Sequence, residues 1–192
     1  MPDLLRAVVY VHAREERRYG VLACLLIFLI EKSGPVSKMK GIMKQIINKP
    51  GSYRFVLDQE GQELEVVGRF KLKGKEVGRW DIEIIHAAPN TSSRTNIKGV
   101  VDGSARTSVF GTIKVLPEAK GTEAFLEERI LLVSENAKAE AVPNLEIETD
   151  EVKCSHAATV GKIDEEEIFY LQNRGIKLKQ AKDMIAEGFL VK

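Results

Sequence analysis

Thiols are scarce in this chain: Cys24 and Cys154 are its two cysteines, and they lie far apart. That excludes a disulfide framework and points to a reducing compartment, with the cytoplasm the expected location. Charge of one sign is missing too. Lys plus Arg is 29 against 28 for Asp plus Glu, so no global field recruits nucleic acid or acidic lipid. The basic pieces at Lys38–Lys49 and Lys71–Lys75 are short, and a nucleic-acid partner is not expected. Val21–Ile30 is a run of ten apolar residues, whereas a bilayer span needs about 20. Glu15 and Glu16 interrupt the basic residues before it, and no small-residue cleavage site follows before Glu31-Lys32, so a signal peptide fits poorly. A buried helix fits better, as does an upstream extension with Met39 or Met43 as the working start. A membrane is not an expected partner. No G-x-x-x-x-G-K-[ST] loop is present, so no nucleotide is expected to bind this chain.

What is there, over 192 residues, is enough for one domain with at most a small appendage. From about residue 50 the pattern is that of strands. Tyr53–Leu57, Leu64–Leu72, Trp80–Ile85, Asn96–Val101, Ser108–Val115 and Arg129–Val133 are rich in β-branched and aromatic residues, with Gly, Asn, Asp and Pro between them. Glu63-Leu64-Glu65-Val66 and Arg69-Phe70-Lys71-Leu72 alternate strictly, which buries one face and wets the other. Between 50 and 160 no stretch has a 3.6-residue period. Periodicity alone leaves sandwich, barrel and solenoid open. The similar order around a glycine in Asn96–Val101 and Phe110–Val115 favours a solenoid, whose coils bury their inner faces by stacking. A six-residue beat is absent, which argues against the left-handed hexapeptide type.

The segment Pro143–Gly161, PNLEIETDEVKCSHAATVG, carries the chemistry. It alternates through Leu145 and Ile147, turns at Thr149-Asp150 and resumes at Val152. Residues i and i+2 of a strand share a face, so Cys154 and His156 point the same way. A thiol beside an imidazole suits a soft metal or a sulfur species. Two plainer roles compete with that one: a small buried hydrophobe for the cysteine and a satisfied core residue for the histidine. A Cys–His hydrolase is poorly supported, since one strand supplies no orienting third group. His86, at a strand end before Pro89, is expected to be a structural hydrogen-bonding residue. Two helices close the chain. Asp164 is the N-cap of the first, Glu167 completes a capping-box-like arrangement, acids at 165–167 complement the helix dipole, and Gly175 is the stop. Ile168, Phe169, Tyr170 and Leu171 supply its apolar stripe. In the second, from about Lys177, Leu178, Ala181, Met184, Ile185 and Phe189 are in register for burial.

Several of these pieces together resemble the C-terminal core of the SufB/SufD family, the β-helical scaffolds of the SUF iron–sulfur cluster assembly system. They are PNLEI at 143–147, D-x-V-K-C-S-H-x-A-T-V-G at 150–161 and D-E-E-x-x-F-Y-L-x-x-R-G-I at 164–176. Upstream, H-x-x-P-x-T-x-S at 86–93, Lys98-Gly99-Val100 and G-x-I-x-V at 111–115 also fit. The resemblance covers roughly 50–190 and is closer to the SufD branch. It implies a mainly β fold, a right-handed parallel β-helix followed by a small helical domain. The division is then an N-terminal segment at 1–49, read as helical or as not part of the true chain, a β-helix core at 50–162 and a helical domain at 163–192. It also implies a non-catalytic scaffold subunit that works with an ABC-type ATPase, docked through Phe169, Tyr170, Arg174, Ile176 and Met184. The other partner implied is a SufB-like protein or a second copy of the chain. His156 matches the family histidine at the SufB–SufD interface, which implies a transient iron–sulfur cluster there. With no C-x-x-C pair and no four-cysteine set, a cluster held permanently in one subunit is not expected.

The chain departs from the SufB pattern at two positions. The sulfur-accepting cysteine before the proline is replaced near Ala137, and the glutamate beside the strand histidine is replaced by Ala157. Primary sulfur acceptance on this polypeptide is therefore not expected, and a short version that pairs with itself or with a SufB-like protein is. Two other readings compete: an interaction module that regulates the ATPase without binding a cluster, and a carbohydrate-active β-helix enzyme. The latter needs paired carboxylates, and the sequence nominates none.

Overall fold

The computed structural model describes residues 42–191. Nine strands are followed by two helices: β1 (Met43–Ile46), β2 (Gly51–Leu57), β3 (Glu63–Leu72), β4 (Val77–His86), β5 (Ser92–Val101), β6 (Arg106–Val115), β7 (Thr122–Leu132), β8 (Lys138–Ile147), β9 (Val152–Lys162), α1 (Glu165–Gln172) and α2 (Leu178–Val191). Odd-numbered strands form one sheet, in the order β1-β3-β5-β7-β9, and even-numbered strands the other, β2-β4-β6-β8. Every pairing is parallel. The chain thus winds as a β-solenoid of about four turns, successive strands joining the two sheets alternately. The parallel β-helix with a helical end is what forms. The readings placed on Val21–Ile30 and on Met39 fall outside the described residues, whereas Met43 opens β1 and pairs with Leu64.

Alternation drives the winding. In β3, Leu64, Val66, Phe70 and Leu72 are buried between the sheets, and their register partners in β5, Ser93, Thr95, Gly99 and Val101, lie in the next layer. The hydrogen-bond ladder continues round the bends, from Ala87 N to Leu57 O (2.8 Å), Leu116 N to His86 O (2.9 Å) and Glu148 N to Val115 O (3.0 Å). At the centre, the rings of Phe70 and Trp80 stack across the two sheets at 3.8 Å. Burying such a side chain contributes roughly 1.5–3 kcal/mol, and a stacked pair adds about 0.5–1.5 kcal/mol. Gly99 permits the arrangement, since a Cβ there would lie 2.2 Å from Phe70 Cζ.

The strands are longer than the sequence signals. Five of the six expected strands lie inside observed ones, which start earlier or at the same bend. The sixth, expected at Arg129–Val133, begins at Thr122. β8 runs the full length of Lys138–Ile147 although its first half, Lys138-Ala139-Glu140-Ala141, has little β propensity. Pairing with β6 overrides that preference.

The helical end follows its capping signals. Asp164 is the N-cap of α1 and its side chain accepts from Glu166 N at 2.9 Å. Three acids fill the first turn, and Gly175 takes φ of 81° after the helix. The burial stripe differs from expectation. α1 buries no residue, with Phe169 and Tyr170 exposed. In α2 the buried residues are Ala181 and Ala186, with Ile185, Phe189 and Leu190 partly buried, whereas Leu178 and Met184 are about half exposed. The helix packs on Val100, Leu131 and Ile163 with Ala186 buried among them and Ile185, Phe189 and Leu190 against them.

α2 has no basic residue in its last turn, so the sheet supplies the cations that its negative end favours. Arg69 Nε donates to Leu190 O at 3.0 Å and Lys98 Nζ to Phe189 O at 3.3 Å. Lys98 and Arg129 also lie over the Phe189 ring, at 5.5 and 5.7 Å. Lys71 pairs with Glu187, and Lys182 Nζ donates back to Val133 O at 3.2 Å.

Candidate functional site

Among the described residues β9 is the last strand of its sheet and pairs only with β7; β8 holds the same position in the other sheet. The register sets Val152, Cys154, His156, Ala158 and Val160 over Thr122, Ala124, Leu126, Glu128 and Ile130. All five β7 residues are buried, while every one of the β9 residues is half-exposed or exposed. The difference is one of coverage: β7 has β9 above it, and among the described residues nothing lies above β9. The expected common face of Cys154 and His156 is therefore the inner face of the solenoid, at its open end.

The two side chains have different surroundings there. Cys154 is free and half-buried, packed with Leu145 and Val152 against Ile113, Val115, Ala119, Ala124 and Leu126. Burial pushes its thiol above the ordinary range, which disfavours the thiolate that binds metal. His156 is exposed. Its outer-face neighbour Ala157 pairs with Glu127. Among the described residues no three His, Cys, Asp or Glu side chains are grouped to hold a metal ion. Among the described residues, then, Cys154 and His156 have no third ligand beside them at this end.

His86 takes the opposite environment. It is fully buried, with Nδ1 2.8 Å from Thr91 Oγ1 and Nε2 2.8 Å from Ser93 Oγ. Thr91 Oγ1 meets Thr122 Oγ1 at 3.1 Å, and Thr122 donates to Ala119 O at 2.8 Å. Burial lowers the imidazole to about 4, so the neutral ring donates through one nitrogen and accepts through the other. It is a structural residue, as its position before Pro89 indicates.

Glu128 escaped the sequence reading. It is fully buried on the inner face of β7, and neither carboxylate oxygen has a hydrogen-bond partner. Burial raises its carboxyl to about 7. The signal was available: Ala124, Leu126, Glu128 and Ile130 alternate with Phe125, Glu127 and Arg129, which puts an acid on the core parity. Starting the strand at Arg129 concealed it.

The residues expected to dock a partner gather on the helical end. Phe169 is 66% exposed, Tyr170 57% and Met184 53%. Arg174 is exposed and stacks its guanidinium on the Tyr170 ring at 3.5 Å, which fixes both side chains; Ile176 is half-buried. Between this unit and the outer face of β7 and β9 runs a groove of about 840 Å³, bordered by Arg129, Thr159, Lys162, Asp164, Tyr170 and Phe189. Gly161 and Gly188 also border it, and a Cβ on either would meet nothing within 4 Å. Ala137 is buried in the turn before β8. No thiol therefore stands at that bend.

Residues 43–189 match the family described as SUF system FeS cluster assembly, SufBD core domain. The chain belongs to the SufBD family. It is similar to an iron–sulfur cluster assembly SufBD family protein of Mycobacterium leprae, 40% identical over 112 residues, which is 54% of this chain and 29% of that protein. A SufBD family protein of Mycobacterium tuberculosis is 38% identical over 112 residues, 54% of this chain and 28% of its own length. The iron–sulfur cluster assembly protein SufD of Escherichia coli is 42% identical over 98 residues, 51% of this chain and 23% of that protein. The aligned part is thus less than a third of each of these relatives. Among the described residues of this SufBD core no helix is long and apolar enough to cross a membrane.

Proposed function

We propose that this protein is a non-catalytic scaffold subunit of a SUF-type iron–sulfur cluster assembly complex. The cargo is a transient cluster, formed where the open end of one solenoid meets a SufB-like partner or a second copy. His156 is its ligand on this chain, and Cys154 is a secondary candidate that must first lose its apolar cover to ionise. An ABC-type ATPase engages the helical end through Phe169, Tyr170, Arg174, Ile176 and Met184, and nucleotide stays on that partner. The observation that carries the reading is the placement of His156, exposed on the inner face of a terminal strand within a SufBD core. A ligand shared between chains needs that position: open to a neighbour, yet fixed by a strand.

The test is anaerobic reconstitution with cognate partners, measuring iron and sulfide retained by the complex. His156→Ala should reduce cluster formation at least tenfold, and Cys154→Ala should reduce it less. A wild-type rate in His156→Ala rules out the site. A second reading, an interaction module that regulates the ATPase, is favoured by the covered thiol and by the absence of three grouped ligands among the described residues. It predicts that the complex forms and hydrolyses ATP while no assembly takes up iron or sulfide. For a carbohydrate enzyme three outer acids of the four-stranded sheet offer little, because Asp81, Glu83 and Glu146 pair with Arg79, Arg54 and Lys114.

A further inference from the structure

Among the described residues the fully buried carboxylate of Glu128 has no hydrogen-bond partner. An ionised carboxylate in such a place costs several kcal/mol unless a proton or a cation compensates it. Its neighbours along the stack and along the strand are apolar. Ile97 lies in the coil below and Ala158 in the coil above, with Leu126 and Ile130 flanking it on the inner face of β7. Opposite is Gly111, whose missing side chain leaves the room that Oε1 occupies; a Cβ there would stand 2.4 Å from that oxygen. Toward the interior, then, the carboxylate is walled in. Toward the open end its register neighbour is Ala158, a single methyl and itself exposed, and Pro143 lies over Gly111.

Beside that methyl, two positions back on the same inner face, is His156. Parallel strands lie about 4.8 Å apart and rise about 3.3 Å per residue, which separates the Cα atoms of Glu128 and His156 by roughly 8 Å. A glutamate, with three side-chain torsions, and an imidazole can both reach an ion lying between positions that far apart. Cys154 is two residues further along and directed into its apolar cluster. It is left out of the pair.

We propose that Glu128 and His156 form a divalent-cation site just beneath the open end of the solenoid, the carboxylate as inner ligand and the imidazole as outer ligand. One oxygen donor and one nitrogen donor suit an ion of the iron(II) class, with the remaining positions filled by water or by a partner chain. Two ligands from one chain make a weak, exchangeable site, which is what a cation held before sulfur is added requires. The proposal rests on the reading of His156 as a ligand and adds to it a residue that the sequence pattern did not nominate.

The experiment is anaerobic titration of the full chain with cobalt(II) alone, followed by visible absorption and calorimetry. The wild type should bind one equivalent. Glu128→Gln, which keeps shape and removes charge, should weaken binding at least tenfold, and so should His156→Ala. Ala158→Leu leaves both ligands in place and fills the space between them; it should weaken binding by a similar factor, with a far-ultraviolet spectrum like that of the wild type. Wild-type affinity in Glu128→Gln overturns the proposal, and if His156→Ala still loses binding, the reading of His156 stands without Glu128. Wild-type affinity in His156→Ala overturns the pair and the ligand reading together. No binding by the wild type overturns the proposal outright.

Discussion

Two histidines on strands of one solenoid meet opposite fates. His86 ends a strand inside the stack, with Thr91 and Ser93 on its two nitrogens and no exposure. His156 occupies the inner face as well, but of the last strand, and is exposed. The residue type and the facing are the same; the coil above is what differs. In a stacked-coil architecture the inner face of each coil is buried by its neighbours, so the final coil keeps a face of core parity for something else to cover. Cys154, Ala158 and Val160 share that condition. The contrast between closed interior and open end is also a contrast between what stabilises the protein and what is available for function.

The comparison breaks most visibly from the inside. Trp80→Ala removes a fully buried ring stacked on Phe70, and it should cost about 3–5 kcal/mol, measured by urea denaturation. Nearly as large are the opposed effects of two buried titratable groups, His86 and Glu128. His86 is lowered from 6.5 to about 4, so its contribution is present above pH 6.5 and is lost as pH falls toward 4. Glu128 is raised from 4.5 to about 7, so its contribution is present below pH 4.5 and is lost as pH rises toward 7. Each amounts to about 3 kcal/mol over its window. Between pH 4.5 and 6.5 the two slopes oppose each other. Glu128→Gln should therefore convert a nearly flat stability profile in that range into one that rises with pH, followed by denaturation at half-unit steps.

Smaller effects sharpen the other side. Asp164→Ala removes the cap bond to Glu166 N and should cost about 1 kcal/mol, read as a loss of helical signal at 222 nm together with a lower denaturation midpoint. His156→Ala, at an exposed position, should change stability by no more than about 0.5 kcal/mol. A much larger loss in calorimetry would mean that the histidine belongs to the core after all.

Much of this contrast was legible in the sequence, and the misses have physical causes. Alternation located β3 almost to the residue, because strongly apolar positions there face the core. It failed at β7, where Thr122, Ala124 and the inward Glu128 weaken the pattern, and at β8, whose Ala- and Glu-rich first half is held by pairing with β6. The helix caps were legible because Asp164 and Gly175 act locally. The buried stripe of α2 was legible in part: Ala181 is buried and Ile185 and Phe189 pack on the core as expected, whereas Ala186 carries little hydrophobic signal and Leu178 and Met184 stay about half exposed. That Cys154 and His156 share a face followed from their spacing. That the face lies at the open end follows only from counting coils, which no local pattern reveals.

Hydrogen exchange along β9, with and without the cognate assembly partners, tests the open end most directly. Amides of Val152–Lys162 should gain protection on complex formation, while those of Ser92–Val101, already inside the stack, should change little. Protection confined to the helical end, with β9 exchanging as fast in the complex as alone, would contradict the placement of the shared site at the open coil.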